Sequence, residues 1–247
     1  MPTKEFLFHY LSLEHLIYIL KNSGFSFCNP DFWNDKNDAF FCQKAVSPNR
    51  IAGIICFTRE RETCTHWSTF ANNGIGIKIS FCRENLISSL EESVKKSPEL
   101  TNKHAELIHS NILYKGRKKL AETDLSKINK KYPLLFIKKS SYNNESEYRI
   151  ACIVDSSKEI ANNKVVCRVP FSLKCITRIT ISPYIKKTVA HDIIKLLKAF
   201  IESLPNGKEL DIEFKRSTMM YDRKWRNIGR DLKKKLADIP IETEKGV

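Results

Sequence analysis

Residues 143–154, with the sequence NNESEYRIACIV, constrain the fold of this chain more than any other stretch. Alternate positions in this stretch carry aromatic or apolar side chains: Tyr148, Ile150, Cys152 and Val154. Because successive side chains of a strand point to opposite faces, this alternation predicts a β-strand with one face in a core. The chain is therefore expected to be organised around a sheet that contains this strand.

Two carboxylates stand at the entrance to the predicted strand. Glu145 and Glu147 are two residues apart, so on an extended backbone they point to the same side. In a cleft, one carboxylate can stay ionised and hold a ligand hydroxyl or stabilise a cation. The other carboxylate, with its pKa raised by the neighbouring charge, can handle a proton. Alternatively, both acids face solvent and one of them pairs with Arg149, and the pair alone leaves both interpretations open.

Composition favours a globular protein. The chain has 247 residues, of which 42% are hydrophobic and 14 are Phe, which is enough for a sizeable core. The eight cysteines include no C-x-x-C pair, which argues against a zinc site and favours reduced thiols in a cytosolic protein. Residues 1–20 are interrupted by charged and polar side chains, which predicts neither a signal peptide nor a membrane span. We therefore expect a cytoplasmic protein without a membrane partner.

The net charge of +14 is concentrated in two blocks of the later chain. Residues 1–94 carry nine Lys and Arg against ten Asp and Glu, whereas residues 95–140 carry twelve against four, and residues 186–235 carry fourteen against seven. A field of one sign favours polyanions, so nucleic acid is the expected partner, unless the charge only maintains solubility. Candidate contacts in the two blocks are Lys118, Lys119 and Lys224.

The hydrophobic pattern predicts an α+β fold with a central mixed or antiparallel sheet of short strands. One domain is expected at residues 1–235, followed by a C-terminal tail at residues 236–247. Predicted strands lie at residues 6–10, 25–27, 51–58, 75–81, 111–114, 148–154, 165–170, 176–182 and 210–214. Predicted helices lie at residues 13–22, 83–96, 97–110, 117–132 and 188–204, with Gly24 ending the first, and a basic helical tail follows the last strand. Residues 59–73 are predicted to be mostly irregular.

Seven short motifs occur in a characteristic order. They are FHY, LEHLIYIL, NDKND, CFT, WSTFANNGIGIKISF, ESEYRI and ITRITISP. In this order the sequence resembles the bacterial domain-of-unknown-function family 2971, over roughly residues 6–220. It departs from the family pattern at Lys36, where Pro is usual, at Phe70, where Tyr is usual, and at Tyr142, where Trp is common.

The opening strand and helix and the late E-x-E strand are also similar to the ADP-ribosyltransferase superfamily, particularly its nucleic-acid-modifying toxins. This resemblance implies an ADP-ribosyltransferase-like domain that uses NAD as substrate without a metal, acts as a toxin or phage-defence effector, and is restrained by an antitoxin or inhibitor protein. It implies that Glu147 is the catalytic acid and Glu145 the acid on the acceptor side. The implied NAD contacts are His9 or Tyr10 on the first strand, Trp67 as a stacking surface, and Ser68, Thr69 and Phe70.

Alternative interpretations remain for the same residues. Four acids, Asp35, Asp38, Glu145 and Glu147, would hold Mg²⁺ in a metal-dependent nuclease. A basic module that binds nucleic acid without catalysis is the third possibility. Individually, His9 and Trp67 also fit a core, and Asn34, Asp35 and Asp38 also fit turn and cap contacts.

Overall fold

In a computed structural model of the protein, residues 5–125, 129, 131–221 and 223–237 are described, with side chains only up to residue 233 in the last segment. The strands are β1 (Phe6–Leu11), β2 (Gly24–Cys28), β3 (Arg50–Thr58), β4 (Ile77–Cys82), β5 (Glu106–Asn111), β6 (Leu113–Lys115), β7 (Ile137–Lys139), β8 (Glu147–Asp155), β9 (Val165–Pro170), β10 (Ile176–Ile181) and β11 (Glu213–Arg216). The helices are α1 (Leu13–Asn22), α2 (Lys36–Ala45), α3 (Cys64–Phe70), α4 (Arg83–Lys96), α5 (Pro98–Asn102), α6 (Arg117–Ala121), α7 (Lys158–Ala161), α8 (Lys187–Glu202) and α9 (Arg223–Ala237).

Nine strands of the described residues form one mixed sheet. Its main path runs β11-β10-β4-β1-β3-β2-β9, and β8 and β5 extend it from β3. Strand β3 contacts β1 through the single pair Phe8–Thr58, but it pairs with β8 along its whole length, from Arg50–Asp155 to Thr58–Glu147. Strands β1 and β3 are thus joined beside Glu147, the first residue of β8, and are unpaired with each other along the rest of their length. A separate ribbon of β6 and β7 lies outside this sheet.

Strand β8 is buried on both faces. Tyr148, Ile150, Cys152 and Val154 lie in the main core, as the alternating pattern predicted. The opposite face enters a second, smaller core that includes Ala151 and Ile153, where α2 and residues 132–136 pack. Glu147 and Arg149 belong to this second face because they are an even number of residues from Ala151. The predicted α+β fold with a mixed sheet is confirmed.

Several local predictions are confirmed. The helices at residues 13–22 and 83–96 and the strand at residues 165–170 have the predicted bounds. The remaining predicted strands and the helix at residues 188–204 are present with ends shifted by a few residues. The cap of the first helix differs from the prediction, since Ser23, not Gly24, is its left-handed cap at φ 44°.

Other predictions are wrong. Residues 97–110 are not one helix, because α5 ends at Asn102 and residues 106–111 form β5, which pairs with β8 along its full length. Residues 59–73 contain α3, whose first turn is capped by the Thr63 hydroxyl. Helix α2 was missed in the segment after Asn34. In the described part of the helix predicted at residues 117–132, α6 is the one α-helix. Residues 126–128 and 130 lie outside the described residues, as does the predicted tail from residue 238 onward.

All eight cysteines lie in described segments and are free thiols. Among the described residues, no helix combines the length and the apolar character that a membrane crossing requires.

Candidate active site

A cleft with a volume of about 500 Å³ lies where the sheet opens between β1 and β3. Three strand ends form its floor: β1 contributes Phe8 to Tyr10, β3 contributes Cys56 to Thr58, and β8 contributes Glu147 and Arg149. Helices α2 and α3 and residues 138–145 form its walls. The cleft therefore brings the predicted first-strand residues and both predicted acids into one site.

Glu147, the first residue of β8, is buried in the floor of the cleft with 5% of its surface exposed. Burial alone would raise the pKa of Glu147, but the charges of Arg149 and Lys138 hold it at about 2. Its Oε1 accepts from Arg149 Nε at 2.5 Å, and its backbone N–H donates to the Tyr114 hydroxyl at 2.8 Å. Glu147 is therefore an ionised carboxylate fixed at both its backbone and its side chain.

Arg149 is fully buried and joins Glu147 to Asp38 of α2. Its guanidinium donates to both Asp38 oxygens and to the Leu135 carbonyl, at 2.5 to 3.0 Å, and lies 5.2 Å from the centre of the Trp33 ring. The alternative interpretation of the two acids predicted that one of them pairs with Arg149 in solvent. Glu147 does pair with Arg149, but the pair lies inside the cleft. The i to i+2 spacing on one strand face was the sequence signal for it.

Glu145 does not lie on the strand, so the extended geometry predicted for the two acids is wrong. It ends a 3₁₀ segment at residues 140–145, and Ser146 turns the chain through a left-handed conformation at φ 43° before β8 begins. The two carboxylates nevertheless converge, because Lys138 Nζ donates to Glu145 Oε2 at 2.6 Å and to Glu147 Oε2 at 3.0 Å. Burial raises the pKa of Glu145, and Lys138 offsets that rise only in part.

His66 of α3 holds the backbone of Glu145 in place. Its Nε2 lies 3.2 Å from the Glu145 carbonyl oxygen, and its Nδ1 lies 2.7 Å from the Thr63 hydroxyl. A carbonyl can only accept, so Nε2 carries the proton and Nδ1 accepts from Thr63. Burial lowers the pKa of His66, which favours this neutral form. Sequence reasoning missed His66, Lys138 and Tyr114 as site residues. His66 and Tyr114 reach the acids from elements 79 and 33 residues away, whereas Lys138 lies only seven residues before Glu145 and is brought to it by the turn between β7 and β8.

The two first-strand candidates both line the cleft, and they differ in their hydrogen bonding. The Nδ1–H of His9 donates to the Cys56 carbonyl at 2.8 Å, and burial lowers the pKa of His9 to about 4. Its Nε2 is therefore an acceptor. Tyr10 stacks on His66 at 5.5 Å between ring centres, and its buried hydroxyl has no partner among the described residues.

The four predicted residues of α3 divide between the cleft and other environments. Thr69 and Phe70 line the cleft, and Phe70 is 40% exposed. Trp67 is fully buried beneath it, edge-on to Tyr10 at 5.0 Å, so its ring is a core element and is not available for stacking on a ligand. Ser68 is exposed outside the cleft lining and donates to the Thr65 carbonyl. Because these four residues lie on a helix, which the sequence did not predict here, their side chains point in different directions around the helix axis.

Two of the three candidate nucleic-acid contacts lie close to the cleft. Lys118 and Lys119 line a cavity with Lys115 and Arg117. An adjoining cavity of about 250 Å³ contains Lys115, Arg117, Lys138 and Lys139 on its walls and shares Lys138 and Tyr142 with the acidic cleft. Lys224 is exposed on α9 and lines none of these three cavities.

The acids proposed for a metal site have other partners. Asp35 caps α2 through the N–H groups of Asn37 and Asp38, which confirms its predicted cap role. Asp38 and Glu147 both bind Arg149 and lie within 3.6 Å of Lys138. The described residues contain no group of three His, Cys, Asp or Glu side chains arranged to hold a metal ion. A divalent cation would have to compete with two resident cations, so the geometry does not favour the nuclease hypothesis.

Residues 66–150 match the model of a family described as "Protein of unknown function (DUF2971)", which confirms the predicted resemblance over that part of the chain. The chain is also similar to solved structures of DarT from Thermus sp. 2.9. The complex of that protein with NAD+ is 10% identical, with 89% of this chain and 98% of that chain covered and a TM-score of 0.38. Its complex with ADP-ribosylated ssDNA is 10% identical, with 86% and 95% covered and a TM-score of 0.38. None of the curated proteins matches the chain.

Proposed function

We propose that this protein is an NAD-dependent ADP-ribosyltransferase that modifies nucleic acid. The observation that carries the proposal is the pair Glu145 and Glu147, whose surroundings drive their pKa values in opposite directions within one cleft. Two carboxylates separated in this way suit two different tasks, one as a permanent anion and one as a proton acceptor.

Glu147 is suited to the first task. Breaking the bond between C1′ of the nicotinamide ribose and the nicotinamide nitrogen leaves the bonding electron pair on nicotinamide, and positive charge develops on the ribose. A carboxylate that is already ionised, buried and fixed by Arg149 stabilises that charge without reorganising. The same carboxylate can accept a hydrogen bond from a ribose hydroxyl.

Glu145 is suited to the second task. The attacking N–H or O–H group of the acceptor forms the new bond to C1′ with its lone pair, and its proton passes to Glu145, which then releases it to solvent. Glu145 can take up the proton because its pKa is raised, and it can release the proton to solvent because it is only partly buried at the rim of the cleft.

The walls of the cleft suit a flat ring and a polyanion. Phe8, Trp33, Phe70 and Tyr142 present aromatic surfaces to the cleft, and they replace Trp67 as candidates for stacking on nicotinamide or on an acceptor base. Outside the cleft, the cavities that contain Lys115, Lys118 and Lys119 would hold the phosphates of the acceptor. His9 would accept a hydrogen bond from a ribose hydroxyl or the nicotinamide amide through Nε2.

The motifs of this chain resemble those of the nucleic-acid-modifying toxins of the ADP-ribosyltransferase superfamily. We therefore include in the proposal a biological role as a toxin or phage-defence effector in the cytoplasm, held in check by an inhibitor protein.

One incubation tests the proposed activity. The protein is mixed with NAD and with single-stranded or duplex DNA or RNA, and the nucleosides and the protein are analysed by mass spectrometry. An added mass of one ADP-ribose on a nucleoside, with equimolar nicotinamide release that survives chelator, supports the proposal. Cleavage of the nucleic acid that requires a divalent cation would instead support the metal-dependent nuclease. Binding of nucleic acid without modification or cleavage would support the non-catalytic binding module.

A further inference from the structure

Lys138 hydrogen-bonds both acids of the proposed site at once. Its ammonium lies 2.6 Å from Glu145 Oε2, 3.0 Å from Glu147 Oε2 and 3.6 Å from Asp38 Oδ2. Only 12% of its side chain is exposed. In this arrangement the positive charge of Lys138, held against Glu145 Oε2, opposes the uptake of a proton by Glu145.

The two cations at the acids are held with different rigidity. Arg149 is a planar fork fixed by Asp38, Glu147 and the Leu135 carbonyl, so it stays with Glu147. Lys138 is a point charge on a flexible stem, and it is carried by the β6–β7 ribbon outside the main sheet. Its neighbour Lys139 is exposed on the same ribbon. Of the two cations at the acids, only Lys138 is therefore free to change partners.

The alternative partner for Lys138 lies on its other side. Lys138 lines both the acidic cleft and the 250 Å³ cavity, whose remaining cations are Lys115, Arg117 and Lys139. Two acids also line that cavity: Asp35, which caps α2, and Asp38, which pairs with Arg149 and lies 3.6 Å from Lys138 Nζ. The Tyr142 ring, 4.9 Å from the Lys138 ammonium, borders both spaces and would support the charge as it moves.

We propose that this cavity is a subsite for a phosphate of the acceptor strand, and that a phosphate bound there draws Lys138 off Glu145 and so frees it to accept the proton. The inference rests on the proposed function for its catalytic consequence, but the binding event does not. Until an acceptor arrives, Glu145 stays neutralised by Lys138, so hydrolysis of NAD by water is suppressed. Acceptor binding and proton acceptance are thereby coupled through one side chain.

The binding event is tested on the whole protein labelled with ¹³C at glutamate Cδ. The Glu145 resonance is assigned with Glu145→Gln and followed while oligothymidylate of eight nucleotides is added. The matched probe is the methylphosphonate oligomer, which has the same bases and no backbone charge. The charged oligomer is expected to shift the Glu145 resonance, and the uncharged one is not. Absence of a shift at saturating charged oligomer overturns the proposal.

The coupling is tested by kinetics with Lys138→Met and Lys138→Arg. Lys138→Met is expected to raise NAD hydrolysis without acceptor several-fold relative to transfer, whereas Lys138→Arg keeps the ratio near that of the wild type. If Lys138→Met does not fold, Lys139→Met and Lys115→Met replace it, and each is expected to weaken the effect of the oligomer on Glu145 at least about threefold. An unchanged response in both variants contradicts the subsite.

These experiments distinguish failure of the phosphate subsite from failure of the proposed transferase activity. A Glu145 shift without nicotinamide release would retain the phosphate subsite and remove the transferase activity. Transferase activity in which Glu145 does not respond to the charged oligomer would retain the activity and remove the subsite.

Discussion

The imidazole of His66 hydrogen-bonds the backbone carbonyl of Glu145, with 3.2 Å between Nε2 and the oxygen. This bond links α3 to the segment that carries the acceptor-side acid, 79 residues later in the chain. Because Glu145 precedes a left-handed residue and lies outside the sheet, no strand pairing fixes its position. His66 therefore acts as a positioning residue for Glu145 in the proposed reaction.

His66→Leu is expected to lower transfer to the acceptor by roughly ten- to a hundredfold, since a displacement of about 1 Å at a reacting group can cost that much. Nicotinamide release without acceptor should fall less, because Glu147 keeps its own partners. His66→Gln, which retains a side-chain N–H donor, should recover part of the loss. Both rates are measured on protein whose melting temperature is recorded. Equal losses of both rates in a well-folded His66→Leu protein would contradict the positioning role.

The sequence predicted the sheet and the two acids because those signals are local. The alternation over residues 148–154 identifies side chains that lie in the main core. The two-residue spacing places Glu147 and Arg149 on the same face of the strand, where they pair. The partners from other elements carry no such signal. Asp38 lies 111 residues from Arg149, and its helix has only a weak amphipathic pattern to reveal it. The strand β5 was hidden because its pairing with β8, a tertiary contact, decides its conformation.

Glu147→Gln is expected to lower nicotinamide release at least about a hundredfold, because the amide cannot supply the negative charge that stabilises the ribose cation. The structure adds a cost in stability, since Arg149 and Lys138 lose a charged partner. Asp38→Asn is the matched control, as it also removes a charged partner of Arg149 but leaves Glu147 unchanged. Comparable nicotinamide release by the two folded variants would exclude the proposed role of Glu147.

Arg149→Met should destabilise the protein by roughly 3–5 kcal/mol, because it leaves the buried acids Asp38 and Glu147 short of a cation. The effect depends on pH with a definite sign. The pKa of Glu147 is lowered from 4.5 to about 2 on folding, so its contribution is present above pH 4.5 and is lost as pH falls towards 2. In Arg149→Met that pKa rises, so Glu147 contributes less pH-dependent stability and the stability difference between the two proteins should narrow as pH falls below 4.5. Urea midpoints from pH 3 to pH 7 measure this difference, and a difference that stays constant or widens towards pH 3 would contradict it.

Trp67→Ala should cost roughly 3–5 kcal/mol of stability through loss of core packing, without a direct effect on NAD affinity. The reason is its position, fully buried beneath Tyr10 and outside the cleft lining. Phe70→Ala gives the reverse expectation, weaker NAD binding with little loss of stability, since Phe70 is 40% exposed at the cleft. Thermal melting with and without NAD measures both quantities. A folded Trp67→Ala protein with strongly reduced NAD affinity would return the ring to the cofactor site.

The basic cavities beside the cleft should contribute to acceptor binding more than the basic charge as a whole. Lys118→Glu and Lys119→Glu are expected to weaken binding and modification of nucleic acid while NAD hydrolysis persists, because both residues line a cavity near the cleft without touching the acids. Each lost phosphate contact should lower the log–log salt slope by about 0.9 on duplex and about 0.7 on single strands. Lys224→Glu, on α9 and outside these cavities, should have a smaller effect on modification.

Lys195→Glu is the control for these reversals, since Lys195 is exposed on α8 and the substitution changes the net charge by the same amount. If Lys195→Glu and Lys119→Glu weaken binding equally, the attraction comes from net charge alone and the cavities have no specific role. If none of the reversals alters binding at low salt, the basic blocks serve solubility, as the alternative interpretation of the composition holds. A loss confined to Lys118 and Lys119 would instead place the acceptor strand beside the acids, because general attraction does not depend on where a charge lies.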